Sequence, residues 1–138
     1  MAVWGIGAYY RGAKKADKTS DFIANEAAFI GWSENDAPSL HQMMKSIKIG
    51  DIIYIKSLSQ QRGSPNNLIV KAIGVVTDTK KQTSASLGTG IKVLWKDNFA
   101  PFDIVLTSQI YKNNVFNNSL YEEFNKEIIN TITSKLLS

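Results

Sequence analysis

Residues 31 to 57 read GWSENDAPSLHQMMKSIKIGDIIYIKS, and the order of residue types in this stretch decides the fold. Asp36 offers a helix cap and Pro38 falls in the first turn, where a missing amide proton costs nothing. Leu40, Met43, Met44 and Ile47 then recur at i, i+3, i+4 and i+7, which predicts a helix with one apolar stripe turned to the core. Gly50 and Asp51 make a turn, and Ile52 to Lys56 is β-branched and aromatic enough for a central strand. Trp32 and Asn35 before the helix, and Tyr54, Lys56 and Ser57 after it, are placed to converge on one pocket.

On the N-terminal side, Ala2 to Tyr10 (AVWGIGAYY) reads as a first strand, whose two glycines weaken it unless something packs close to its backbone. Thr19, Ser20 and Asp21 offer caps for a short helix carrying Phe22, Ile23 and Ala27. On the C-terminal side, residues 57–67 are polar with Gly and Pro, hence a loop. Leu68 to Thr77 is the longest β-rich run, with Gly74 marking a bulge or a close backbone approach. KKQTSASLGTG (80–90) reads as a second exposed loop, and Ile91 to Lys96 and Phe102 to Thr107 as further strands. Ser119 to Glu122 has the form of a capping box opening a last helix through Phe124, Ile128, Ile132 and Leu136. Such a run of strands without regular βα alternation predicts one α+β domain over residues 1–138, a strongly curved antiparallel sheet or small barrel with flanking helices.

The chain has 138 residues, 43% of them hydrophobic and 20% charged, which suits one globular core and argues against disorder. It has no cysteine, so disulfides, thiol nucleophiles and thiolate metal sites are excluded together. The N-terminal apolar run is too short for a signal-peptide core and no run approaches a membrane span, so a soluble cytoplasmic protein is the expectation. The net charge of +4 favours a polyanionic partner, with clusters at Arg11, Lys14, Lys15 and Lys18 and at Lys80 and Lys81.

Enzyme signatures are sparse. His41 is the only histidine, which rules out His-rich zinc sites, and no Gly-x-Ser-x-Gly elbow is present. Gly5 and Gly7 begin a G-x-G, but Tyr10 stands where a dinucleotide fingerprint needs glycine, and no G-K-[ST] occurs. What remains is aromatic and basic. Flat rings stack on a base, an Asn side chain reads its edge, and Lys or Arg holds flanking phosphates.

The order Trp32, Asn35, a helix ending in Lys-Ile-Gly-Asp (48–51), the strand IIYIKS (52–57) and Ala-Ile-Gly-Val-Val (72–76) resembles the PUA-like superfamily, and within it the EVE and YTH-related branch. The resemblance implies a pseudo-barrel with flanking helices that holds a modified base in an aromatic-lined pocket, in a restriction or defence setting. EVE domains often show Tyr-His-Ser where this chain has Ile55-Lys56-Ser57. The ribonuclease-type G-x-K-x-x-E-x-R element of the related ASCH domains is absent. The expectation is therefore a non-enzymatic DNA- or RNA-binding module that captures a flipped or unpaired modified base, with no cofactor, metal or membrane partner. Trp4, Trp32, Asn35, Tyr54 and Ser57 are its expected base pocket, and Arg11, Lys56 and Arg62 its expected phosphate contacts. The competing expectations are a small-molecule or nucleotide-binding domain of the same fold and a protein-interaction module.

Overall fold

The computed structural model describes residues 1–10, 16–59, 67–106 and 119–138. In chain order these form β1 (Val3–Gly7), β2 (Tyr9–Tyr10), β3 (Ala16–Asp17), α1 (Thr19–Ala24), β4 (Ala27–Ile30), α2 (Pro38–Met44), β5 (Ile52–Ser59), β6 (Asn67–Ser84), β7 (Gly88–Trp95), β8 (Phe102–Val105), β9 (Leu120–Glu122) and α3 (Lys126–Leu137). Seven of the strands make one strongly curved half-barrel sheet in the order β4, β7, β6, β5, β1, β9, with β8 paired to the first residues of β6. β2 and β3 pair separately as a small ribbon.

At its centre the sheet is not antiparallel as expected. β1 runs parallel to β5, with Val3 opposite Ile52 and Gly7 opposite Lys56. The connection between them, through α1, β4 and α2, is long enough for the crossover a parallel pair demands. Both strands are covered on both faces, which is why Ile52 to Ile55 is apolar without alternation. On one face Trp4, Ile6, Ile53 and Ile55 pack with Phe22 of α1 and Met44 of α2, and Ile47 joins them just beyond that helix. On the other face Val3, Ile52, Tyr54 and Tyr121 pack with Ile128 and Ile132 of α3. The stripe Leu40, Met43, Met44 and Ile47 is turned to the core as its spacing predicts.

Several boundaries differ from the sequence reading, each for a local reason. Ala27 is the first residue of β4, not part of α1, because Glu26 takes a positive φ of 52° that ends the helical path. Residues 80–84 and 88–90 belong to strands, so the expected loop shrinks to a tight turn between β6 and β7. No side chain caps α2, that of Asp36 included: Ala37 holds the N-cap position, while the Asp36 amide donates to Ser33 Oγ at 3.1 Å. The capping box at Ser119 to Glu122 is not formed, since residues 120–122 pair with β1. Asn125 caps α3 instead, its Oδ1 accepting from the amides of Glu127 (3.0 Å) and Ile128 (3.1 Å).

Candidate functional site

The expected base pocket does not assemble as one cavity. Trp4 is buried, and its Nε1 donates to Asp51 Oδ2 at 3.0 Å. Asp51 also accepts from the amides of Ala2 (Oδ1, 3.0 Å) and Lys48 (Oδ2, 2.9 Å). Burial alone raises the Asp51 pKa, but these three N–H donors outweigh it and hold the carboxyl below its ordinary value. The Lys-Ile-Gly-Asp turn and the first-strand Trp are thus one structural unit that joins β1 to the start of β5.

Tyr54 lies on the opposite face from Trp4 and is equally buried. Its hydroxyl donates to Glu123 Oε1 and accepts from the Tyr121 hydroxyl, both at 2.7 Å. Burial pushes the phenol pKa of Tyr54 well above its ordinary value, reinforced by Tyr121 and Glu123, and burial raises Tyr121 as well. Lys56 is on this same face, with Nζ 5.8 Å from the centroid of the Tyr121 ring, and burial lowers its pKa. It belongs to the α3 side of the sheet. Ser57 points to the other side by strand alternation and is half-buried. Arg11 and Arg62 lie outside the described residues.

Tyr10, Tyr54 and Tyr121 all have raised pKa values, so the stability tied to their protonated forms is complete below about pH 10 and lost as pH rises through the folded-state values. Their ionisation in an alkaline titration, followed by tyrosinate absorbance, is expected to coincide with loss of the far-ultraviolet circular dichroism signal. Ionisation of all three in a folded protein would contradict the buried network.

Trp32 and Asn35 stand apart from these cores, on the exposed segment between β4 and α2. The indole groups of Trp4 and Trp95 are bonded inside the fold, the latter to the carbonyls of Phe22 (3.2 Å) and Ala27 (3.3 Å). Trp32 is 57% exposed. Its backbone is nevertheless fixed. The carbonyl accepts from Nε2 of buried His41 at 2.7 Å, and the Tyr10 ring lies so close to Gly31 that a Cβ there would sit 2.9 Å from it.

Beside this segment is a groove of about 120 Å³ lined by Glu34 of the loop, His41, Met44 and Lys45 of the α2 region, and Thr79, Lys81, Thr89 and Ile91 of β6 and β7. Its lining joins apolar Met44 and Ile91 to two lysines, one carboxylate and two hydroxyls. The volume is close to that of the ~150 Å³ cavity that takes up benzene, and well short of the ~300 Å³ at which drug-sized pockets begin. By volume the groove matches a single ring rather than a whole nucleotide cofactor. The groove is not legible in the sequence because residues 80–90, which supply part of its lining, have the polar, Gly-containing composition of a loop.

Among the described residues no cluster of His, Asp or Glu is arranged for a metal, and no helix is long and apolar enough to cross a membrane. No protein-family model matches the chain, and no curated protein matches it.

Proposed function

We propose that this protein is a non-enzymatic nucleic-acid-binding module of PUA-like type that captures a flipped or unpaired, modified base beside Trp32. The observation that carries the reading is Trp32 itself: a large aromatic left 57% exposed, whose backbone carbonyl is held by His41, a residue of the groove lining. Burying such a ring against a base recovers apolar contact that the fold leaves unused, and stacking is worth ~1–3 kcal/mol per base. The net charge of +4 supports a polyanionic partner. The order of first-strand Trp4, Lys-Ile-Gly-Asp turn and IIYIKS strand supports the PUA-like assignment. Trp4 and Tyr54 serve this function as framework: they fix β1 and β5 and take no part in stacking. Asn35, three residues beyond Trp32 and exposed, remains the residue suited to read a base edge.

Trp32→Ala is expected to weaken binding to the preferred member of a panel of methylated and hydroxymethylated oligonucleotides by about tenfold or more at matched salt. Because Trp32 is exposed, the thermal midpoint should barely move. Binding as tight as the parent's would refute the assignment.

A further inference from the structure

We infer that Lys45 and Lys81 hold the phosphodiester groups that flank the captured base, so that the groove between α2 and β6 clamps the nucleic-acid backbone. This rests on the base-capture reading and adds the backbone-holding groups to it. They replace Lys56, which the fold places on the α3 face.

The main observation is a register break. Asp78 pairs with Lys92 and Gln82 with Gly90, so Thr79, Lys80 and Lys81 together stand opposite the single residue Ile91. Extra residues in one strand bend it and re-aim its side chains, at a cost in ladder hydrogen bonds. Here the bulge is built in: the Asp78 carboxylate accepts the Lys80 amide at 2.9 Å. Thr79 and Lys81, two residues apart and so on one face of the strand, both line the groove together with Lys45 at the C-terminal end of α2. A cation near the C-terminal end of α2 is explained by the helix dipole, but that does not account for the second cation, Lys81, in the same lining. The two lysines and Glu34 give the lining a formal charge of +1 with His41 neutral, and the Thr79 and Thr89 hydroxyls add donors suited to phosphate oxygens. A lining that joins apolar Met44 and Ile91 to two lysines and two hydroxyls suits a base together with its own phosphates.

The test is the salt dependence of binding to a single-stranded oligonucleotide of about 12 residues carrying the preferred base. Removing one lysine that neutralises a phosphate should lower the slope of log K against log salt by ~0.7, so the double variant K45Q/K81Q should fall by about 1.4 in slope and roughly 25-fold in affinity near 0.1 M salt. A control with the same charge change on α3, K126Q/K135Q, should leave the slope near the parent's. Should K45Q/K81Q keep the parent's slope while Trp32→Ala still weakens binding, the clamp is wrong and base capture stands. A parent that binds no oligonucleotide of the panel at low salt overturns both. Binding of an acidic peptide, abolished in K45Q/K81Q, without oligonucleotide binding would replace the nucleic-acid partner by a protein.

Discussion

Asp51→Ala is expected to lower stability by about 3–5 kcal/mol, a large part of the ~5–15 kcal/mol that holds a domain folded. The carboxylate accepts the Trp4 indole N–H and the amides of Ala2 and Lys48, and removing it leaves three donors without their acceptor, the indole fully buried. Hydrogen bonds to a charged group contribute ~1.5–3 kcal/mol each, and a stranded buried donor costs ~1–3 kcal/mol. Asp51→Asn should fall short of rescue, because its amide NH₂ would meet N–H groups where an acceptor is needed. Trp4→Phe removes one donor and should cost less; in the Asp51→Ala background its further effect should shrink, since residues in one network couple by ~0.5–3 kcal/mol. Urea unfolding of the single and double variants measures this, and a loss below about 1 kcal/mol for Asp51→Ala would show that the network does not hold β1 to β5.

The same carboxylate gives a pH dependence with a fixed sign. Its folded-state pKa lies below the ordinary value, so the unfolded chain binds more protons in that range. Its contribution is complete above the unfolded value near ~3.9 and is lost as pH falls through the depressed folded value. Parent stability should therefore decline below about pH 4, and Asp51→Asn should flatten that decline.

The sequence carried the fold where one residue type had one physical use. The stripe of Leu40, Met43, Met44 and Ile47 marks the buried face of α2, and the β-branched, aromatic run Ile52 to Lys56 reads as a central strand, whose residues 52–55 are divided between the two cores. Gly74 reads as a close approach, and a Cβ there would stand 2.7 Å from the Leu94 carbonyl oxygen. The two glycines of β1 need a packed neighbour, and the Tyr121 ring lies against Gly5 where a side chain would be. Reading failed where identity was compatible with two uses. Trp4 and Tyr54 suit a base pocket as well as a core, and only their partners, Asp51 for one and Glu123 with Tyr121 for the other, decide between them. Those partners are 47 and 67–69 residues away in sequence, beyond any local pattern.

The candidate site shows the same division. Trp32 followed by Ser-Glu-Asn-Asp is an aromatic in a polar turn, and the structure leaves it exposed. Lys81 was visible as a charge but not as a groove residue, because the Thr-, Ser- and Gly-rich run 82–90 imitates a loop. Its strand character comes from pairing with β7 and β4, a tertiary preference that overrides local propensity.

Gly88→Ala is the second substitution expected to have a large effect, about 3 kcal/mol, and it bears on the site as well as the fold. Gly88 has φ of +99°, and a Cβ there would fall onto the carbonyl oxygen of Ile30, a backbone atom that cannot rotate away. The conformation alone costs an L side chain ~1–2 kcal/mol, and forcing the two backbones apart adds ~1–3 kcal/mol. Gly50 separates the two terms, since its φ is +91° but a Cβ there meets nothing within 4 Å. Gly50→Ala should therefore lose only ~1 kcal/mol, and the difference between the two variants measures the steric part. If both lose the same amount, the close approach of β7 to the end of β4 is not real. Ile30 is the last residue of β4 and Trp32 follows two residues later, so displacement at Ile30 moves the segment that His41 and Tyr10 anchor. A folded fraction of Gly88→Ala should therefore bind oligonucleotide more weakly than Gly50→Ala does, by a margin that Trp32→Ala removes.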